Sequence, residues 1–298
     1  MPDPAPAREA GAEAGALSVR KAIRRAIHQL QGAGVQEPEL NAQLLASSGL
    51  GCPRLELFTR MDEKLSATQF AAIEEGTRRL ADHEPIQYVL GRAEFMGRVF
   101  KCDRRALIPR PETEELVEFV AGHELFKQAE APRVIDAGTG CGCIAISLAL
   151  IKKKGDFLAL DVSAGAAALA GENALSNGAA ELVRVMTADF AAADIPPGLD
   201  AVVTNPPYVR TDEFGKLDRN IRLWEPRIAL DGGDDGLRLI EPFAKKAHAL
   251  LKPDGLLFME IGNNQWPLVQ ALLAETGFRR TAVRLDCAGH NRLVLAVK

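Results

Sequence analysis

Asn205, Pro206, Pro207 and Tyr208 follow directly on an apolar stretch, in LDAVVTNPPYV. The two prolines donate no backbone N–H and stiffen the turn. Their carbonyls and the Asn205 side-chain oxygen are left as fixed acceptors, and Tyr208 offers a flat face to a planar group. An –NH2 conjugated to a carbonyl or a ring is a poor nucleophile, because its lone pair is delocalised. Two acceptors, one for each N–H, draw it toward a tetrahedral shape and free that pair for attack on an in-line carbon. Catalysis of this kind comes from positioning and from support of the charge that develops on nitrogen. Asn205 and Pro206 are therefore the candidate catalytic residues, and Asn205, Pro206, Pro207 and Tyr208 the candidate substrate contacts. The plainer alternative is a rigid proline turn with a buried asparagine.

A second group lies upstream, where VIDAG runs through GTGCG into CIAISLALI. Gly138, Gly140 and Gly142 let the backbone turn tightly and approach a ligand at a helix N-terminus. The spacing is GxGxG, and a dinucleotide fingerprint would want a third glycine where Cys143 stands. Asp136, just before the loop, suits an amino group better than a pyrophosphate, since two anions repel. Asp161 ends the next strand and can accept hydrogen bonds from both hydroxyls of a ribose. The combination asks for a nucleoside with a cationic, unphosphorylated tail, which S-adenosylmethionine has. Here the plainer alternative is a tight strand–helix turn with no ligand.

Positioning these groups requires a sheet. From residue 133 onward, strand candidates Val134–Asp136, Phe157–Asp161, Leu182–Thr187, Ala201–Thr204 and Leu256–Ile261 alternate with helical stretches. Such alternation implies a mostly parallel sheet with helices on both faces. Arg280–Leu285 and Arg292–Val297 are joined by a turn at Ala288–Gly289 and should pair antiparallel. Residues 18–84 read as helical. Ser18 is placed to cap a helix with the stripe Val19, Ala22, Ile23, Ala26, Ile27 and Leu30, ended by Gly32 and Gly34. Pro38 suits a first helical turn, with Leu40, Leu44 and Leu45 following and Gly49 as the stop. Ser66 and Gln69 match a capping box, ahead of Phe70, Ile73, Thr77 and Leu80 on one face. YVLG, AEFMG and VFKCD, between 86 and 108, read as short β-prone pieces of a hairpin linker. IPRPETEEL opens a helix whose Glu112, Glu114 and Glu115 lie near its positive end.

The expected organisation is a disordered tail over 1–16, a helical substrate-docking domain over 17–85, a β-hairpin linker over 86–108 and a catalytic domain over 109–298. With 298 residues, a net charge of −4 and 47% hydrophobic residues, the chain can bury a sizeable core without disulfides or structural metal. The mild acidity weighs against gripping a nucleic-acid backbone by charge. No apolar run approaches a bilayer's thickness, and the N-terminus has no hydrophobic h-region. The five cysteines form no CxxC pair, so small buried thiols in a reducing cytosol are expected, with no metal site.

EPIQYVLGRAEFMG (84–97), LIPRPETEELV (107–117), VIDAGTGCGCIAISLA (134–149), VVTNPPYV (202–209), EPRIALDGGDDGL (225–237) and LLFMEIGNNQ (256–265) together carry a resemblance. The chain resembles the HemK/PrmC family of protein-(glutamine-N5) methyltransferases, which act on class I peptide-chain release factors. That resemblance implies a Rossmann-like class I S-adenosylmethionine-dependent methyltransferase fold. Its seven-stranded, mostly parallel sheet has an antiparallel last strand and is joined to a small N-terminal helical bundle. It implies S-adenosyl-L-methionine as cofactor, S-adenosyl-L-homocysteine as product, and no metal. It assigns Gly138, Thr139, Gly140, Cys141, Gly142 and Asp161 to the cofactor, with Asn205 also beside it. Phe190, after Asp189 in MTADF, falls where the family packs an aromatic near the adenine.

Asn205 through Tyr208 would hold the glutamine of a Gly-Gly-Gln loop, and Arg110, Glu112 and Thr113 come near the active site. Arg110 fits a structural salt bridge equally well. Cys287 and Asn291 depart from the family's usual Leu and Asp, in the terminal hairpin, which bears on local packing more than on chemistry. The PET of IPRPETE sides with the release-factor branch over a sister branch that methylates a ribosomal-protein glutamine. An N6-adenine methyltransferase of DNA or RNA shares NPPY but would need a nucleic-acid surface. A non-enzymatic module would be expected to lose the glycines or Asn205. A cytoplasmic monomer follows, with release factors as partners, no stable nucleic-acid binding and no membrane.

Overall fold

The computed structural model describes residues 17–298, so the expected tail over 1–16 lies outside the described residues. The chain divides into two units. One holds the residues up to Gly91 together with Arg219–Trp224, and the other holds Arg92–Asp218 and Glu225–Lys298. Among the described residues, no helix is long and apolar enough to cross a membrane.

The first unit is helical: α1 (Val19–Gly32), α2 (Pro38–Leu50), α3 (Arg54–Leu57), α4 (Ala67–Ala81) and α5 (Ile86–Leu90). The stripe expected on α1 is buried at Val19, Ala22, Ile23, Ala26 and Leu30, with Ile27 half-buried. Ser18 stands at the N-cap, but its side chain caps nothing. Backbone oxygens of Glu63 and Met61 instead accept from Val19 N at 3.0 Å and Arg20 N at 2.9 Å, so tertiary partners satisfy the first donors. Gly49 is not the stop of α2. It lies inside the helix, and Gly51, at φ +65°, ends it in the left-handed conformation. The capping box of α4 is present: Gln69 N donates to Ser66 Oγ, and Ser66 N donates to Gln69 Oε1. YVLG is a second correction. Tyr88 to Leu90 belong to the short α5, entered through Pro85 and stopped by Gly91 at φ +69°.

The second unit opens with the hairpin β1 (Arg92–Phe95) and β2 (Arg98–Lys101), followed by α6 (Pro111–Gly122) and α7 (Glu124–Gln128). Then come β3 (Arg133–Ala137), α8 (Cys143–Lys152), β4 (Asp156–Asp161), α9 (Ala164–Ser176), β5 (Val183–Thr187) and β6 (Leu199–Thr204). A two-stranded piece joins β7 (Val209–Arg210) to β8 (Asp231–Gly233). The chain closes with α11 (Ile240–Leu250), after the six-residue α10 (Arg219–Trp224) of the first unit, then β9 (Leu251–Glu260), α12 (Trp266–Thr276), β10 (Arg280–Leu285) and β11 (Asn291–Val297).

Seven strands form one sheet in the order β10-β11-β9-β6-β3-β4-β5. The pairs from β9 to β5 are parallel, and β11 runs antiparallel to both its neighbours. The sheet, its parallel core and its antiparallel final strand are those expected. Side chains alternate between two cores: Val134, Ala201, Val203 and Phe258 face one, while Ile135, Val202 and Leu257 face the other. Both faces are thus covered, which is why these strands read as continuous apolar runs. Of the cysteines, Cys102, Cys141 and Cys143 are buried, Cys52 is half-buried, and Cys287 is exposed because it sits in the β10–β11 turn.

The capping box gives a direct test of the helical unit. Ser66→Ala removes one acceptor at the start of α4 and should cost about 1 kcal/mol. A lower urea midpoint of the helical signal, with unchanged slope, is the expected result.

Candidate active site

Strands β3 and β6 are neighbours, with Ala137 opposite Thr204. Strand order reverses between them, β4 and β5 lying beyond β3, and β9, β11 and β10 beyond β6. Loops leaving such a switch point part to opposite sides and open a crevice at the carboxyl ends of the strands. The glycine loop leaves β3 there and Asn205 leaves β6 there. A cavity of about 330 Å³ lies between them, within the range of small-molecule sites.

The loop is held by backbone and by one buried acid. Gly138 N and Thr139 N both donate to Leu160 O, at 2.8 and 3.0 Å. Asp136, 1% exposed, accepts through Oδ2 from Thr139 Oγ1 at 2.5 Å and from Ala145 N at 3.1 Å. Its Oδ1 has no protein partner. Burial pushes this carboxyl up to about 7, against the pull of those two hydrogen bonds. Asp136 therefore lies beneath the loop and does not line the cavity.

Asp161 does line it. Its Oδ2 accepts from Gly140 N at 2.9 Å and its Oδ1 from Ser163 N at 2.8 Å, and burial raises its pKa. Phe190 stands on the same wall, edge-on to Phe243 with centroids 5.2 Å apart. Beside it Asp189 is exposed and accepts from Ala191 N. Thr139 and Cys141 also face the cavity, while Gly142 turns away from it. A Cβ built on Gly138 would come no closer than 4.0 Å to Phe243, and one on Gly140 no closer than 3.8 Å to Ala106. The space before the loop is open, and both glycines hold positive φ, +74° and +57°. Open backbone, an acid at the rim and an aromatic wall suit a nucleoside, so the residues present fit S-adenosylmethionine.

The opposite wall carries Asn205, Pro207, Arg110 and Thr113. Asn205 Nδ2 lies 3.1 Å from Thr113 Oγ1, and Thr113 Oγ1 lies 2.7 Å from Glu260 Oε2. Tyr208 OH lies 3.2 Å from Glu260 Oε1, and Gln265 Nε2 donates to Tyr208 O at 3.0 Å. Burial raises the Glu260 pKa, opposed by the Thr113 bond, the Arg292 charge and the Tyr208 bond. Arg292 sits 5.9 Å from the centre of the Tyr208 ring. Pro206 is buried, and neither it nor Tyr208 faces the cavity. Glu112 is half-buried on α6 and away from the cavity, and its charge repels that of Glu260. Arg110 donates through Nη2 to Glu225 Oε1 at 2.5 Å, and Ile108 N donates to Glu225 Oε2 at 3.1 Å.

Glu225 and Glu260 had no assigned role in the sequence, although both sit in quoted motifs. A lone acid after an apolar strand, or before a proline, was the available signal. Gly232 is another such residue: a Cβ there would lie 2.8 Å from Tyr208 Cα and 2.9 Å from Pro207 O, so the GGDDG loop must pack closely on the proline turn.

Residues 21–91 match the model of the PrmC N-terminal domain, and residues 121–221 that of the methyltransferase small domain. A release factor glutamine methyltransferase of Moorella thermoacetica is 37% identical, covering 95% of this chain and 99% of its own length. Another, of Koribacter versatilis, is 38% identical over 95% of this chain and 99% of its own. A solved S-adenosylmethionine-dependent O-methyltransferase of Thermotoga maritima is 19% identical, covers 64% of this chain and 66% of that one, and superposes with a TM-score of 0.48.

Asp136 should leave a signature in stability. An unfolded aspartate titrates near ~4, and this one titrates near 7 when folded. Below the lower value both states hold the proton. Between the two, only the folded state holds it, so the contribution to stability is lost as pH rises through that window, by on the order of a few kcal/mol. Asp136→Asn should flatten the dependence of Tm on pH there, and an unchanged slope would show that the carboxyl titrates normally.

Proposed function

The chain belongs to the HemK/PrmC family of release factor glutamine methyltransferases, and we propose that it methylates the side-chain amide nitrogen of the glutamine in the Gly-Gly-Gln motif of class I peptide-chain release factors. One observation carries the reading. A glycine loop with an acid suited to a ribose and an Asn-Pro-Pro-Tyr turn leave adjacent strand ends and face each other.

Bound S-adenosylmethionine supplies a methyl carbon made electrophilic by its sulfonium, with S-adenosylhomocysteine as product. The chain does the rest. The backbone of residues 138–142 cradles the cofactor, Asp161 accepts from its ribose and Phe190 packs near its base. Asn205 Oδ1 and the Pro206 carbonyl, which is bonded to the cavity-lining Pro207, each accept one N–H of the glutamine amide. Pro207 and Tyr208 border the turn that holds it in plane. Drawing both N–H groups out of conjugation frees the lone pair, and the same acceptors stabilise the charge that grows on nitrogen. The nitrogen gives up one proton to solvent water once it carries the methyl, so a neutral amide is restored. In this reading the chain works as a cytoplasmic monomer and makes no stable complex with nucleic acid.

Incubated with labelled S-adenosylmethionine, the chain should label a release factor but not its Gln→Ala variant, a ribosomal protein or DNA. Label on either of the last two would move it to the ribosomal-protein or adenine reading. Asn205→Ala should lower kcat by about 10²–10³ while calorimetric cofactor affinity holds, as for loss of a transition-state contact. Asp161→Ala should show the reverse, weaker cofactor binding. Normal turnover in Asn205→Ala would remove the proposed mechanism.

A further inference from the structure

Asn205 can serve as an acceptor only if its oxygen, and not its nitrogen, is turned to the substrate. The two ends of the amide have nearly the same shape, and a half-turn about its last bond exchanges them. Something outside the side chain must choose, and the choice is decided by which neighbour donates.

We infer that Glu260, at the end of β9, is a positioning residue that sets the orientation of the Asn205 amide through the Thr113 hydroxyl and anchors Tyr208 at the same time. This rests on the methyl-transfer reading for its consequence, though not for its geometry. Thr113 Oγ1 lies between Glu260 Oε2 at 2.7 Å and Asn205 Nδ2 at 3.1 Å. A hydroxyl has one proton to give. An ionised carboxylate only accepts, so Thr113 gives its proton to Glu260 and turns lone pairs toward Asn205. Asn205 can answer those lone pairs only with its N–H groups, which leaves Oδ1 directed away from Thr113.

The other oxygen of Glu260 accepts from Tyr208 OH at 3.2 Å. Two hydroxyls thus aim at the two oxygens of one carboxylate that is 1% exposed. Burial works against its charged form, and the Thr113 hydroxyl, the charge of Arg292 over the Tyr208 ring and the Tyr208 hydroxyl all favour it. The acid reaches both ends of the Asn-Pro-Pro-Tyr turn from a strand end 52 residues past Tyr208. In contrast to the Pro206 carbonyl, whose direction is narrowed by the proline that follows it, the Asn205 acceptor has no covalent constraint on its sense.

A glutamine at 260 can present either end of its amide to Thr113, so the relay loses its direction. Glu260→Gln should lower kcat about 10- to 100-fold, the scale of a misplaced catalytic group, with KM for a release-factor peptide and cofactor affinity changed far less. Thr113→Val should do the same, and Thr113→Ser, which keeps the hydroxyl, should recover most of that loss. The double variant Thr113→Val/Glu260→Gln should be no slower than the worse single one, because the two act as one relay. The Asn205 side-chain amide resonances, assigned with Asn205→Asp, should shift in both Glu260→Gln and Thr113→Val and stay in place in Thr113→Ser.

Additive losses in the double variant, a wild-type kcat in Glu260→Gln, or unmoved Asn205 resonances would overturn the inference. The resonances need no turnover. If the wild-type chain methylates no release factor, the functional reading fails while the amide shifts still decide the role of Glu260.

Discussion

A carboxylate taken out of water has to be met by donors, and three such carboxylates hold the limbs of this cavity. Asp136, Glu225 and Glu260 are 1%, 6% and 1% exposed. Glu225 and Glu260 draw together segments distant in the chain, and Asp136 acts within its own loop. Asp136 ties the glycine loop to the first turn of α8. Glu225 ties down the backbone at Ile108 and the Arg110 side chain. Glu260 ties Thr113 on α6 to Tyr208 after β6. Losing a partner from such a group leaves a buried polar oxygen unsatisfied, which costs more than breaking an exposed hydrogen bond.

These anchors act on a frame that the sheet has already set. Parallel pairing of β3 with β6 places Ala137 against Thr204, and Thr204 Oγ1 donates to Ala137 O at 2.7 Å. The last residues of the two strands are thereby locked in register just where their loops diverge. A one-residue slip would turn every side chain on one strand to the opposite face, and the two cores on either side of the sheet forbid it. Covering both faces thus has a functional effect: it fixes where the chain enters the glycine loop and the proline turn.

What could be read in the sequence follows from how local the physics is. The strands β3 to β6 and β9 to β11, the capping box at Ser66 and the stripe on α1 are periodic or adjacent signals, and they are found where expected, whereas the short β7 and β8 carry no such signal. Ser18 and Tyr88 depart from expectation for opposite reasons. At Ser18 a distant backbone supplied the oxygens that a cap would have supplied. At Tyr88 a β-prone run was outvoted by Pro85 and Gly91, which bound a single helical turn. In the site, the loop glycines, Asp161 and Asn205 announce themselves by type and spacing. Glu260 does not, because its partners are 147 and 52 residues away and only the fold brings them within reach. Asp136 shows the converse: its place beside the loop suggested a ligand contact, yet the same closeness lets the loop's own Thr139 and Ala145 N claim it.

In the proposed mechanism, the paired acceptors explain why so much structure stands behind one small amide. A base of shifted pKa can act through a range of positions, because a proton tolerates some misalignment. Two neutral oxygens acting on one planar nitrogen cannot, since each must lie along a different N–H. In that mechanism the proline would supply one oxygen, whose direction is narrowed by the proline that follows it. The asparagine supplies one whose direction is set by hydrogen bonds, and those end on a buried acid. Reorganising that half of the pair during the reaction would cost what preorganisation saves. A buried carboxylate with both oxygens engaged is a rigid terminus for such a relay. An exposed one would accept from water as well and leave the amide free to turn.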